Sequence, residues 1–347
     1  MRVYELDYEL PRELIAQRPA QPRDAARLLV LHRASGRIEH RVFREIGDYL
    51  RPGGCLVLND TRVIPARFFC RRPGGGKVEA LFVRSDGEHW RVLLRPSSRL
   101  RAGQRLRCAA AGTELVLLQR LERGEWLLRP EPPVEPLEFL GRVGQTPLPP
   151  YIRRAPRPDP EDAERYQTVY ARRPGAIAAP TAGLHFTPQL LDRLRRGGVA
   201  TVTVTLHVGV GTFAPIEVER LETHRMHAEC YELDEPAARA LQAVRPGGGR
   251  IVAVGTTTVR VLESLPGELG RDDRPPTATQ GWTGLFIYPP YRFRNVDCLL
   301  TNFHLPRTTL LALVMAFAGV AATRRAYQEA IDRRYRFYSY GDAMLIL

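Results

Sequence analysis

The hydrophobic pattern changes texture along the chain, and each texture predicts a different kind of element. Near the end, Leu310 to Ala318 is apolar on every side, which a helix tolerates only when other elements surround it. The run is too short for a membrane span of about 20 residues, so it is predicted to be a central buried helix. Pro306 keeps Leu305 extended, and Thr308 or Thr309 supplies an oxygen for the free amides of the first turn. Asn302 and His304 stand just before it. Polar groups are thereby delivered to a helix start, where amides and macrodipole favour an anion.

From about Phe68 to Pro150 helical periodicity gives way to short alternating runs: Val78 to Arg84, Trp90 to Arg95, Arg105 to Cys108, Glu114 to Gln119 and Glu125 to Arg129. Turns at Gly74 to Gly76, Gly87, Gly103 and Gly124 separate them. Short strands spaced by turn signals predict an antiparallel sandwich or small barrel, inserted at residues 61–150. The proline-rich basic stretch Thr146 to Pro160 ends the insertion as a semi-rigid linker.

Residues 1–60 and 151–347 flank it and read as one discontinuous domain. Leu10 to Arg18 and Glu161 to Tyr170 are predicted helices, and Arg23 to His32 runs into a buried strand. The apolar strand Cys55 to Asn59 stops at the polar Asn59 to Arg62. From Gly175 onward strands alternate with helices. Pro188 to Arg196 has Thr187 as its cap and Gly197 as its stop, and β-branched Val199 to His207 follows as a strand. Gly209 and Gly211 offer a G-x-G, but Pro215 begins no helix after it, which argues against a dinucleotide fingerprint. Arg250 to Ser264 is better formed: strand, glycine turn, three threonines and helix, suited to an anion although it lacks the P-loop lysine. Gly284 to Phe293 and Tyr335 to Leu347 are further strand-like segments.

Composition adds that lysine and arginine number 51 against 38 acidic residues, a balance of +13 that suits a polyanionic partner or a merely solvated surface. Cys55, Cys70, Cys108, Cys230 and Cys298 are scattered and form no zinc-type pair, which fits a reducing cytoplasm. No signal peptide opens the chain and no membrane segment is expected.

The densest ionisable cluster is His224 to Tyr231. In an extended chain His227, Glu229 and Tyr231 share one face, so an imidazole and a carboxylate stand together as an acid/base pair would. A metal site and a plain surface pair are the alternatives. His185, His207 and His304 also lie at strand ends or before helices, the side of an α/β sheet where ligands bind.

Seven ordered motifs then carry a resemblance that spans essentially the whole chain. They run from Asn59 to Arg67, Ala179 to Thr187, Leu206 to Phe213, His224 to Glu229, Val254 to Thr257, Thr301 to Pro306 and Tyr338 to Leu345. Together they resemble the S-adenosylmethionine:tRNA ribosyltransferase-isomerases of queuosine biosynthesis. Pro290 stands where that family usually has glycine, and Thr308 where serine is common.

The resemblance implies a mixed α/β fold with an inserted small antiparallel β-barrel. It implies a cytoplasmic, monomeric enzyme that needs no metal and moves the ribosyl part of S-adenosylmethionine onto 7-aminomethyl-7-deazaguanine at the tRNA wobble position. Epoxyqueuosine, adenine and methionine are the expected products. That chemistry needs a proton acceptor beside the sulfonium, a proton donor for adenine and a carboxylate for the cationic amine. His185, His227, Glu229 and Asp342 are the candidates. Gly255, Thr256 and Thr257, with Arg260 one turn in, suit the methionine carboxylate. Asp60 and Arg62 are expected to face the tRNA loop, and Thr181, His207, Asn302 and His304 to line the substrate site. Phe186, Tyr288, Tyr338 and Tyr340 are candidates for stacking or for core packing. Arg153, Arg154, Arg157, Arg62 and Arg67 are expected to meet phosphates. A non-catalytic RNA-binding module and a methyltransferase using the same donor remain the alternatives.

Overall fold

The structure is a computed structural model that describes residues 1–108, 112–154, 159–209, 211, 216–271 and 277–347. Arg157 and the Thr212 to Phe213 end of one motif lie outside the described residues.

The chain opens with β1 (Arg27–His32), β2 (Arg37–Val42) and β3 (Cys55–Asn59). It then crosses β4 (Thr61–Val63) into six barrel strands: β5 (Arg67–Arg71), β6 (Lys77–Asp86), β7 (His89–Arg95), β8 (Arg105–Cys108), β9 (Thr113–Arg120) and β10 (Glu125–Glu131). Helices α1 (Pro136–Val143) and α2 (Asp162–Arg165) lead to β11 (Arg173–Ala176). There follow α3 (Pro188–Arg196), β12 (Ala200–Leu206), β13 (Glu229–Leu233), α4 (Glu235–Val244), β14 (Ile251–Val254), α5 (Thr256–Ser264), β15 (Thr279–Thr283) and β16 (Cys298–Asn302). The chain ends with α6 (Thr309–Ala318), α7 (Val320–Asp332) and β17 (Ala343–Ile346).

One nine-stranded sheet has the order β15-β13-β12-β3-β14-β16-β17-β1-β2, so it is built from both flanks of the insertion. Its centre, β12-β3-β14-β16, is parallel. These strands are covered on both faces, which is why β3, β14 and β16 read as continuous apolar runs and every residue in them is buried. The barrel closes in the order β10-β7-β6-β5-β8-β9, and its strands keep the alternation seen in the sequence: in β7, Trp90, Val92 and Leu94 point in while their neighbours are partly exposed. Helix α1 contributes Phe139, whose ring meets Phe68 and Trp90 at 5.2 and 5.1 Å. Cys70 of β5 and Cys108 of β8 are joined as a disulfide across neighbouring strands, which differs from the reading of the scattered cysteines as thiols of a reducing compartment.

Helix α6 is the buried helix anticipated from its uniform apolarity, and Thr308 caps it by accepting the Leu311 N–H at 3.3 Å. A sharp break at Gly319 (φ 88°) turns the chain into α7, and among the described residues no single helix is long and apolar enough to cross a membrane. Three predicted elements differ. Leu10 to Arg18 yields only the 3₁₀ turn Arg12–Leu14, and Glu161 to Tyr170 only the single turn of α2, segments too short to offset the cost of nucleation. The edge strand is Thr279–Thr283 rather than the segment after Gly284, where Pro289 and Pro290 have no N–H to donate to a ladder.

Candidate active site

The strand ends carry the polar groups. At the end of β3, the Asn59 amide donates to Leu206 O (3.0 Å) and Thr257 Oγ1 (3.3 Å) and accepts from the N–H groups of Leu206 (3.1 Å) and Thr61 (3.2 Å). It therefore clamps β3 to β12 and to the first turn of α5. Next to it Thr61 Oγ1 lies 2.8 Å from His207 Nδ1. Burial lowers the pKa of His207 from its usual 6.5. Gly175 runs against this imidazole: a Cβ there would sit 2.8 Å from the ring, at a φ of 150° that side chains seldom adopt.

Beyond these strand ends opens a cavity of about 710 Å³ between the sheet and the barrel. His207, Val208, Gly209, His227 and Glu229 form its sheet side, and Phe82, Arg84 and Arg91 its barrel side. Trp282 on the edge strand is 58% exposed in it, and the Arg84 guanidinium stands 5.6 Å from the ring centroid. Two small cavities lie deeper. One is lined by Thr181, Val208, Gly255, Thr256, Thr257, Asn302, His304 and Leu310, the other by Met226, Thr256, Thr257, Phe286, Thr309 and Leu310. Val208 lines both the large cavity and the first of these, and Thr256, Thr257 and Leu310 line both small ones.

Of the expected site residues, His227 and Glu229 both line the large cavity, His207 joins them, and Thr181, Gly255, Thr256, Thr257, Asn302 and His304 line the smaller one. His304 is buried with Nε2 2.8 Å from Thr301 Oγ1, and burial lowers its pKa to about 3. Arg62 is exposed.

Other expected site residues are engaged by groups of the protein itself. Glu229 is not open to a substrate amine: one oxygen is paired with the buried Arg260 guanidinium and the other accepts the Gly209 N–H at 2.8 Å. Arg260 in turn donates to Leu285 O and Thr283 O, both at 3.0 Å, and lines the second small cavity with Thr256 and Thr257. Asp60 is buried and bonded to Arg172 (3.0 Å) and Thr205 (2.6 Å). Asp342 is buried as a backbone cap, accepting from Arg27 N (3.0 Å), Arg336 N (2.8 Å) and the Arg336 guanidinium (3.1 Å). His185 does not join His227. Its Nε2 lies 3.1 Å from Asn302 Oδ1, its ring packs on Phe43 at 4.9 Å, and burial lowers its pKa to about 4. Tyr338 lies against Tyr151 (4.0 Å) and Tyr340 against Tyr166 (5.9 Å), both buried, and Phe186 is core. Arg154 is held by Asp162, and Arg67 by Leu148 O at 2.8 Å and by Glu79 at 3.2 Å, whereas Arg62 and Arg153 are exposed.

Sequence reasoning missed Trp282 and Arg84 on the large cavity and Thr309 on the deep one. A tryptophan on an otherwise polar edge strand was a signal for the first; the others depend on tertiary placement. Among the described residues no group of three or more His, Cys, Asp or Glu side chains is placed to hold a metal ion.

A parallel sheet whose polar strand ends open on a cavity roofed by a second module is the architecture of an α/β enzyme that binds its ligand at the carboxyl edge. Comparison with known proteins gives the family. Residues 3–346 match the family described as Queuosine biosynthesis protein, and the chain belongs to it. It is 54% identical over 347 residues to the S-adenosylmethionine:tRNA ribosyltransferase-isomerase of Rubrobacter xylanophilus, covering 100% of this chain and 98% of that protein. It is 52% identical over 349 residues to the protein of the same name from Symbiobacterium thermophilum, with both chains fully covered. The crystal structure of S-adenosylmethionine tRNA ribosyltransferase from Thermotoga maritima is similar with a TM-score of 0.57 at 43% identity, over 99% of this chain and 100% of that one.

Proposed function

We propose that this enzyme transfers and isomerises the ribosyl group of S-adenosylmethionine onto 7-aminomethyl-7-deazaguanine at the wobble position of tRNA, acting as a cytoplasmic monomer. Residues 61–150 act as the inserted module and 1–60 with 151–347 as the domain that carries the chemistry. The observation that carries the reading is the large cavity at the strand ends, walled by two imidazoles on one side and by basic and aromatic barrel residues on the other. It is wide enough for a base and a sulfonium ligand together, and the family membership supplies the reaction class.

On this reading His227 removes a proton from the 5′ carbon that the sulfonium acidifies, and adenine leaves. The aminomethyl nitrogen bonds C1′ and gives up a proton, the C5′ carbanion closes on C1′ as the C1′–O4′ bond breaks, and O4′ then closes on C5′ to form the epoxide and expel methionine with the electron pair of its C–S bond. Burial lowers the pKa of His207 from its usual 6.5 and so favours the neutral imidazole. It stands on the same wall, placed to exchange a proton with the departing adenine. Glu229 and Arg260 hold that wall rather than react. Incubation with S-adenosylmethionine and tRNA carrying the 7-deazaguanine precursor is expected to release adenine and methionine in equal amounts. Adenosylhomocysteine instead would identify a methyltransferase, and no turnover a binding module; either would refute the proposal.

A further inference from the structure

The rim of the large cavity is more apolar than a solvent-facing surface needs to be. Among the described residues four large hydrophobic side chains are exposed, and two of them, Leu137 at 50% and Trp282 at 58%, line this one cavity. Exposed hydrophobics scattered singly are ordinary, whereas two that face one opening mark a place where something docks. They come from opposite sides. Leu137 belongs to α1, which packs on the barrel through Phe139, and Trp282 to the edge strand β15 of the sheet. On β15 Trp282 stands in register with Cys230 of β13, which lines the cavity beside it, while Gly281 turns to the other face, against Tyr231. The strand pairing thereby holds the indole on the cavity face. The Arg84 guanidinium, 5.6 Å from the ring centroid, is within reach of a cation–π contact. Asp86 holds Arg84 at 3.2 Å, and Glu125 and Glu135 line the same cavity. A phosphate entering here meets carboxylates; a flat uncharged ring does not.

We propose that Trp282 and Leu137 form a slot between the two modules that takes one unstacked base of the tRNA anticodon loop, with the indole as its stacking platform. This rests on the reading of the protein as a tRNA-modifying enzyme. Trp282 is on the outermost strand, two places from β12, at whose end His207 stands. With strands about 4.8 Å apart, the ring lies roughly 10 Å out from the imidazole wall, at the edge of the sheet. An RNA loop that hands its wobble base to the imidazoles carries a neighbouring base to this rim, and its phosphates stay outside the slot. The adenine of S-adenosylmethionine is the other ring of this chemistry, and its place is with the ribose at the imidazoles rather than at the open edge.

The test uses the full-length enzyme and an anticodon stem-loop RNA. Of the three tryptophans, Trp90 and Trp126 are buried in the barrel, so acrylamide quenching reports on Trp282, and saturating RNA is expected to shield it. Trp282→Ala should weaken RNA binding about tenfold or more, and Trp282→Phe, which keeps a ring, by less than about threefold. Leu137→Ser should cost about threefold. Both positions are at the surface, so these variants fold. The log-log salt slope should stay that of the parent, because no phosphate contact is lost. Removing the loop bases one at a time should find a position whose loss costs the parent about tenfold and Trp282→Ala almost nothing. RNA affinity unchanged in Trp282→Ala, or no loop base coupled to it, would overturn the slot. Shielding by S-adenosylmethionine alone, with a raised KM for it in Trp282→Ala, would assign the ring to the donor's adenine and overturn the slot as well. Adenine release by the parent enzyme reports on the functional reading separately, so the two fail independently.

Discussion

The Arg260–Glu229 pair is where structural and catalytic roles part most sharply. The two side chains are 4% and 5% exposed, and Glu229 also accepts the Gly209 N–H. Glu229→Gln preserves shape and leaves the buried Arg260 charge with neutral acceptors alone, the glutamine oxygen and the carbonyls of Leu285 and Thr283. Breaking a buried pair from one side costs about 3–5 kcal/mol, because the remaining charge is uncompensated. Unfolding entropy of about 2.1 cal/mol/K per residue over 347 residues is roughly 0.7 kcal/mol/K if the chain unfolds as one unit. The expected fall in Tm is then about 4–7 °C, read by calorimetry. Replacing both partners, Glu229→Gln with Arg260→Met, should be less damaging than Glu229→Gln alone, since no unpaired charge remains. Single-turnover adenine release at a temperature where the variant is folded completes the assay, and it should stay within about tenfold of the parent. A Tm unchanged within about 1 °C together with a hundredfold slower single turnover would refute this reasoning and return Glu229 to the chemistry.

Three further outcomes follow from the same geometry. His185 has a folded pKa of about 4 against 6.5 unfolded, chiefly through burial, so the folded state resists protonation; its contribution is intact above pH 6.5, is lost as pH falls toward 4, and amounts to roughly 3 kcal/mol. A Tm against pH series should show a shallower acid limb for His185→Gln than for the parent, and an unchanged limb would disprove the assignment. Arg62→Ala and Arg153→Ala should each lower the log-log salt slope of tRNA binding by about 0.7–0.9, whereas Arg154→Ala, which strips Asp162 of its partner, should act mainly on stability. Trp282→Ala should weaken tRNA binding by about 1–3 kcal/mol if a base stacks on its exposed face, and titration showing equal affinity would remove it from the interface.

Legibility in the sequence followed the range of the interaction responsible. The barrel strands were readable because inside and outside alternate residue by residue, as Trp90, Val92 and Leu94 show, and α6 because a helix apolar all round has one environment open to it. Polar strand-end residues were not separable in this way. Asn59, Asp60, Asp342 and Arg260 have the composition and position of site residues, and what sorts them is a partner far along the chain. Arg172 is 112 residues from Asp60, and Arg27 is 315 from Asp342. Segments near Leu10, Glu161 and Gly284 failed for a local reason: each has enough apolar periodicity to resemble an element and too little length or too many prolines to form it.

The buried strand-end residues form a scaffold that fixes how the barrel meets the site. The insertion leaves the sheet at Asp60 and returns through β11, which pairs in parallel with β4. Asp60 closes this two-strand stalk: its carbonyl accepts the N–H groups of Arg172 (2.8 Å) and Arg173 (3.2 Å), and its carboxylate holds the Arg172 guanidinium and Thr205 of β12. Ile64, Pro174, Gly175 and Ile177, at the ends of the stalk, themselves line the large cavity. The distance between the imidazole wall and the barrel wall that carries Phe82 and Arg84 is therefore set at one carboxylate. A role in positioning and not in contact predicts that Asp60→Asn, which keeps acceptors but loses the charge opposite Arg172, raises KM for tRNA more than it lowers single-turnover adenine release. A loss confined to single turnover with KM unchanged would mean that Asp60 touches the reacting groups after all.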